Sequence, residues 1–190
     1  MSAETVVAFG VTEDRDLLGQ YFALRRRQYH RHFPTLPEWF GEEEEADRVA
    51  DIVVATMGER VVGGARISYA GPGMSRRLPL ESDLFELPRL FPERRLGEQL
   101  ICEFCRHAVE PEFGALVSRG LAAAMAKTAA RREIALAFTV CPRGQTVLNR
   151  RHCRDLGLQF EVFPALLPPN PFNLEMALCL YRGFASLQEP

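Results

Sequence analysis

Residues 102–106 read Cys102-Glu103-Phe104-Cys105-Arg106, inside an apolar run from Leu100 to Val109. A carboxylate and a guanidinium in such a run cost desolvation energy unless each is paired or lines a polar cleft. Glu103 is of the type that takes a proton as a general base, and Arg106 of the type that clamps a carboxylate through two parallel N–H donors. In a regular strand Glu103 and Cys105 face one way, Cys102, Phe104 and Arg106 the other, and a bulge would change that. Spacing alone leaves a structural ion pair equally open. The two thiols form a CxxC. Zinc would need a second close pair of ligands, and a redox pair would need its first thiol at a helix N-terminus. Cys102 and Cys105 therefore read as small buried hydrophobes, and no metal is expected.

The elements that must position these groups follow from hydrophobic period and punctuation. Val6 to Val11 reads as a short strand. Glu13 to His32 reads as a helix with Leu17, Leu18, Tyr21, Leu24, Gln28 and Tyr29 on one face and Thr12 as N-cap. Phe33 to Asp51, with Pro34, Pro37, Trp39 and the run Glu42 to Glu45, reads as a long loop with one helical turn. Asp51 to Met57 and Arg60 to Tyr69 form an antiparallel hairpin around Gly58-Glu59. A helical piece is expected at Ser82 to Leu87, a strand at Leu100 to Val109, a helix at Ala115 to Arg132 and a strand at Ile134 to Val140. A helix at Gln145 to Asp155 is closed by Gly157. Strands at Leu158 to Phe163 and Leu174 to Tyr181 flank a loop from Pro164 to Asn173.

With 190 residues the chain suits one α/β domain spanning 1–190. The basic residues are 22 Arg and one Lys, and the net charge of −2 gives no global case for nucleic-acid binding. The absence of a long apolar run or a signal-like N-terminus, with five scattered cysteines, reads as a soluble, cytoplasmic protein that engages no membrane.

Two antiparallel strands, a central strand, then helix, strand, helix and a final strand pair is the layout of the N-acetyltransferase-like fold: a single domain with a central, mixed, mostly antiparallel sheet flanked by helices. Fold alone does not fix the reaction. Members of that fold cradle the pyrophosphate of coenzyme A with a Gly-rich loop before the helix that follows the central strand. Here that stretch is Glu110-Pro111-Glu112-Phe113-Gly114-Ala115, which is acidic and lacks the loop.

A series of motifs then resembles the acyl-homoserine lactone synthases, which make quorum-sensing autoinducers. An Arg with an aromatic four residues on matches Arg25 and Tyr29, with Phe33 as a further aromatic. A Trp in the following segment matches Trp39, and Glu45-Ala46-Asp47 matches a Glu-x-Asp. Where a second Asp is expected this chain has Ala50, with Asp51 one place later. Val61 to Ile67 resembles a Gly-x-x-Arg-Leu strand and places Arg66, Pro72-Gly73-Met74 to Phe85 resembles the segment after it, and Glu103 to Arg106 matches a Glu-x-Ser-Arg core with Cys105 for Ser.

The resemblance implies acylation of the amine of S-adenosylmethionine by an acyl thioester, carried by acyl carrier protein or coenzyme A. Lactonisation with release of methylthioadenosine follows. Both molecules are substrates, and no separate cofactor is implied. Glu103 would be the base, Arg106 and Arg66 would hold the substrate carboxylate, and Trp39, Tyr29 and Phe33 would enclose the sulfonium and adenosine. Asp47 would add negative charge or hold an Arg, and Thr139 lies where the family tunes acyl preference. Set against this, Trp39 suits a plain hydrophobic anchor, Glu42 to Glu45 a solvated face, and Thr139 an ordinary strand residue. Two other readings stand beside the synthase: an N-acyl amino acid synthase of the same fold, and a non-catalytic binding domain. The clusters Arg131-Arg132 and Arg150, Arg151 and Arg154 offer a docking surface for an acidic carrier, with Arg150 and Arg154 on one helical face.

Overall fold

A computed structural model describes residues 6–166 and 175–188. Strand β1 (Ala8–Thr12) and helix α1 (Arg15–His32) lead into the hairpin β2 (Asp51–Met57) and β3 (Arg60–Ala70). Helix α2 (Leu87–Leu90), strand β4 (Ile101–Val109), helix α3 (Gly114–Arg131) and strand β5 (Leu136–Pro142) follow. Helix α4 (Gln145–Asp155) and strands β6 (Gln159–Phe163) and β7 (Met176–Arg182) complete the order. The strands form one seven-stranded sheet, β1-β2-β3-β4-β5-β7-β6. β4 and β5 pair in parallel, while β1/β2, β2/β3, β5/β7 and β6/β7 pair antiparallel. This is the mixed, mostly antiparallel sheet that the order of elements implies.

Local chemistry explains where boundaries differ from expectation. The cap of α1 is Asp14, not Thr12: its carboxylate accepts from the N–H groups of Asp16 (2.8 Å) and Leu17 (3.0 Å), while the Thr12 hydroxyl accepts from Asp14 N–H. The hairpin turns at Gly58, whose φ of 60° suits a residue without Cβ. Residues 82–86 are not helical. Ser82 and Phe85 form a β-bridge, and the Glu81 carboxylate accepts from Leu78 N–H (3.0 Å) and Leu87 N–H (2.9 Å), drawing the segment into a loop. The helical turn starts only at Leu87, where Pro88 fits the first turn. Of the loop expected at 164–173, residues 167–173 lie outside the described residues, as does Leu174, and β7 begins at Met176.

Contacts divide the chain into two compact units, Met1–Ile67 with Arg106–Met125, and Ser68–Cys105 with Ala126–Pro190. In the first, α1 lays Tyr21 and Leu24 on Ile52, Val54, Val61 and Ala108. The Tyr21 ring lies directly over Gly64 of β3, and its hydroxyl donates to the Arg106 carbonyl at 2.6 Å. A side chain at position 64 would deny the helix its close approach.

In the second unit, Ile101, Leu136, Phe138, Leu178 and Leu180 form an apolar sheet face, covered by Leu78, Phe85, Leu87, Phe91 and Leu96. The opposite face carries Cys141, Ala177 and Cys179, with Phe160 and Val162 against them. The β4–β5 register runs Ile101↔Leu136, Cys102↔Ala137, Glu103↔Phe138. Beyond it, the buried Thr139 hydroxyl donates to the Phe104 carbonyl at 2.6 Å.

Gly64→Ala should lower stability by about 1–3 kcal/mol, the usual cost of overpacking a buried contact. Gly10→Ala, with nothing within 4 Å of its added Cβ, should change little. Urea midpoints check the pair, and equal midpoints would show that Tyr21 does not depend on Gly64 for its place.

Candidate functional site

The first unit gathers charged groups into a network under the 33–51 segment. Arg25 extends from the buried face of α1 and is 0% exposed. Its Nε donates to the Gly41 carbonyl at 2.8 Å. Its two terminal nitrogens donate to the Asp47 carboxylate at 3.0 and 2.8 Å, and Nη2 also reaches the Glu42 carbonyl. The guanidinium stands over the rings of Tyr21 (5.3 Å) and Phe22 (5.0 Å). The neighbouring Arg26 and Arg27 are exposed and pair with Glu42 and Glu110.

Asp47 sits in a 3₁₀ turn, Glu45–Val49, and its Oδ2 accepts from Glu44 N–H at 2.7 Å. Its Oδ1 also accepts from Arg66 Nη1 at 3.1 Å, so one buried carboxylate joins the helix arginine to the strand arginine. Arg66, 1% exposed, follows Gly64 on the same face of β3. Arg66 and Arg106 then converge on a second carboxylate, Glu44. Glu44 Oε2 accepts from Arg66 Nη1 (2.7 Å) and Arg106 Nε (3.1 Å), and Oε1 accepts from Arg106 Nη2 (2.7 Å). Arg106 has φ of 56°, so strict alternation along β4 breaks at this residue.

An aromatic group adjoins the arginines. The Arg106 guanidinium lies 5.0 Å from the Phe40 ring centroid, and Phe40 packs against Tyr29 (5.5 Å) and Trp39 (6.0 Å). Trp39 is 63% exposed, so it is not a buried hydrophobic anchor. Phe33 is the C-cap of α1, with its ring beside His32, and Asp51 is half-buried at the start of β2.

The second unit holds the other sequence candidates. Glu103 is 5% exposed, and its Oε2 accepts from Leu80 N–H at 2.9 Å. Thr139 is buried with its hydroxyl on the Phe104 carbonyl, while Arg150 and Arg154 are exposed on α4. Among the described residues no group of three or more His, Cys, Asp or Glu could hold a metal ion, and no helix is long and apolar enough to cross a membrane.

Glu44 and Phe40 were not singled out from the sequence. In the acidic run, Glu42, Glu43 and Glu45 are exposed as a solvated face would be, but Glu44 is drawn into the network. The Glu45 of the Glu-x-Asp match points outward. The signal was the Glu44–Asp47 spacing, an acidic residue before a helical turn with its partner three residues on. Burial pushes both carboxyls up, yet the arginines outweigh it. Arg106 with Arg66 holds Glu44 below the ordinary carboxylate range, and Arg25, the Glu44 N–H and Arg66 hold Asp47 there.

No protein-family model matches the sequence, and a search of curated proteins gives no match. Solved structures do match. An N-acyl amino acid synthase from uncultured soil microbes, FeeM, aligns with a TM-score of 0.69 at 11% identity, covering 94% of this chain and 91% of that one. BjaI, a CoA-dependent acyl-homoserine lactone synthase whose structure holds SAM and isopentyl-CoA, aligns at 0.61 and 26% identity, covering 88% and 77%. The acyl-homoserine lactone synthase LasI aligns at 0.62 and 19%, covering 94% and 89%. Acetyltransferases of the same fold also match. Fold and similarity together show that the chain has the acetyltransferase fold that these acyltransferases share. It resembles the acyl-homoserine lactone synthases in structure as well as in motif.

Asp47→Asn should cost about 3–5 kcal/mol, because it leaves the buried Arg25 and Arg66 without their shared counter-charge. The depressed carboxyls also set a pH dependence. Their stabilisation is whole above the ordinary carboxyl pKa of about 4 and is lost as pH falls through the lower folded values. Urea unfolding at successive pH values should show wild-type stability dropping on acidification more steeply than that of Asp47→Asn. Parallel pH profiles would show that the carboxylate contributes no charge-dependent stability.

Proposed function

We propose that the protein is an acyl-homoserine lactone synthase acting on S-adenosylmethionine and an acyl thioester. The observation that carries this reading is the pair Arg66 and Arg106 closing on one carboxylate beside an aromatic group. Glu44 presents to them the group that an amino-acid substrate would present. Two guanidiniums suit the carboxylate of S-adenosylmethionine, and Phe40, Tyr29 and Trp39 suit its sulfonium. A substrate carboxylate competes with Glu44 for the same donors and frees a negative charge to face the substrate's cationic groups.

Glu103, three residues before Arg106 on β4, takes the proton of the substrate ammonium, directly or through one water. The freed amine attacks the thioester carbonyl, a C–N bond forms, the C–S bond breaks and the carrier thiol leaves with a proton. The substrate carboxylate then attacks its own γ-carbon. A C–O bond closes the lactone, and the sulfonium C–S bond breaks with its electron pair leaving on neutral methylthioadenosine. That step needs orientation rather than a further acid or base. No cofactor enters either step. The reaction belongs in the cytoplasm, in keeping with five free cysteines.

The donor is acyl carrier protein or acyl-CoA. Favouring a carrier that docks through side chains, the stretch before α3 is acidic. Glu110 and Glu112 lie there, paired with Arg60, in place of a backbone cradle for pyrophosphate. Exposed Arg150, Arg151 and Arg154 on α4 would meet an acidic surface. The N-acyl amino acid synthase reading shares the acyl-transfer step and differs in releasing no methylthioadenosine.

Incubation with S-adenosylmethionine, a mixture of free amino acids and an acyl donor should yield lactone and methylthioadenosine in equal amounts, and an N-acyl amino acid alone would replace the synthase reading with the second one. Glu103→Gln should lower turnover by about 10²-fold or more in a folded protein, the scale of a general base. Near-normal turnover would reduce Glu103 to a structural role, its bond to Leu80 included. Reversing Arg150 and Arg154 to Glu should raise KM for acyl carrier protein, with KM for S-adenosylmethionine unchanged and added salt mimicking the effect on wild type. An unchanged carrier KM would remove α4 from the docking surface.

A further inference from the structure

Two thiols of the second unit form a chemical pair that acyl transfer leaves unused. Cys141 of β5 and Cys179 of β7 are diagonal neighbours in an antiparallel ladder, Cys141 opposite Ala177 and Cys179 opposite Thr139. Their side chains share one sheet face, with Phe160 and Val162 packed against it, and their Sγ atoms are 4.0 Å apart. Asn149 of α4 donates from Nδ2 to Cys141 Sγ at 3.6 Å, so the same sulfur ties the helix to the sheet. The two thiols are not equivalent. Cys141 is 7% exposed and Cys179 0%, so a small solute meets Cys141 first. Donation from the Cys179 thiol, and then from Asn149, holds Cys141 below the ordinary thiol range against the effect of burial. The bond to Cys141 and burial push Cys179 up. For Cys153, on α4, burial pushes the thiol up to about 12. Of these three, Cys141 is the nucleophile and Cys179 the thiol placed to resolve it.

The ladder can give at this point. Cys141 lies one residue from the end of β5, and Pro142, the last residue, has no N–H to donate to β7. Diagonal strand positions hold Cα atoms about 7–8 Å apart, at the long limit of what a disulfide spans. A bond between Cys141 and Cys179 therefore requires β7 to shift along β5. Closing the sulfurs from 4.0 Å to about 2 Å also moves Cys141 Sγ from the position at which it accepts from Asn149. A bond formed against such a constraint is readily reduced again, as the labile and regulatory disulfides are.

We infer that Cys141 and Cys179 are a reversible, oxidant-responsive thiol pair, which a peroxide converts to a disulfide and whose oxidation releases the Asn149 tie between α4 and the sheet. The Cys141 sulfur attacks a peroxide oxygen. An S–O bond forms, the O–O bond breaks and water leaves, giving a sulfenic acid on Cys141. The Cys179 sulfur then attacks the Cys141 sulfur. An S–S bond forms, the S–O bond breaks, and the hydroxide leaves with the Cys179 proton as a second water. The two sulfurs together give two electrons to the peroxide. This chemistry is independent of the synthase reading.

The experiment treats the full chain with hydrogen peroxide, alkylates the remaining thiols in denaturant and maps the peptides by mass spectrometry. Wild type should lose two of its five thiols, yield a linked Cys141–Cys179 peptide pair and regain both thiols with dithiothreitol. Cys179→Ala should stop at a sulfenic acid on Cys141, trapped by dimedone, and Cys141→Ala should give neither product. Hydrogen exchange across 145–155 should quicken in oxidised wild type and slow again on reduction. Five free thiols after peroxide, a bridge to Cys102, Cys105 or Cys153 in place of this one, or unchanged exchange in α4 overturns the inference. The wild-type map and exchange decide the matter by themselves if either variant fails to fold.

Discussion

One buried carboxylate, Asp47, organises the first unit. It is bonded at once to Arg25 of α1, to Arg66 of β3 and to a backbone N–H of its own turn. Two buried guanidiniums cannot stand in an apolar interior without a counter-charge, so the 3₁₀ turn that carries Asp47 is held where both can reach it. That placement brings Glu44 onto Arg66 and Arg106. Since Arg66 Nη1 donates to both Asp47 and Glu44, the strand arginine ties the two carboxylates together.

The scaffold is arranged to make this sharing possible. Gly64 lets the Tyr21 ring pack directly against β3, which brings α1 close enough for Arg25 to reach the 41–47 segment, and the Tyr21 hydroxyl donates to the carbonyl of Arg106. At Arg106 the positive φ takes β4 out of strict alternation, as sheets do where a side chain is re-aimed. In the second unit the same strand follows ordinary alternation, with Glu103 on the apolar face beside Phe138. One strand thus carries two chemically different side chains, three residues apart, by different backbone means.

Much of this was legible in the sequence. The hairpin 51–57 and 60–70, the helix 145–155 and the strand around Glu103 are written in period-two or helical patterning and in Gly58 and Gly157. Arg25, Arg66, Asp47 and Arg106 followed from resemblance, and the network joins all four. Less legible were features decided by side chains competing for backbone donors: Asp14 displacing Thr12 as cap, and Glu81 keeping 82–86 out of a helix. Glu44 was hidden because four consecutive glutamates look alike in sequence. Only the turn that buries Asp47 singles out the one that reaches the arginines.

The claim that Arg66 and Arg106 form a carboxylate site, occupied by Glu44 until substrate arrives, is tested most directly by calorimetric titration of the protein with S-adenosylmethionine and with its decarboxylated counterpart. Charge-assisted hydrogen bonds of this kind correspond to roughly 10- to 100-fold in affinity. S-adenosylmethionine should bind more tightly than the decarboxylated form by that factor, and the difference should vanish in Arg106→Gln. Equal affinities for the two ligands in the wild-type protein would contradict the claim.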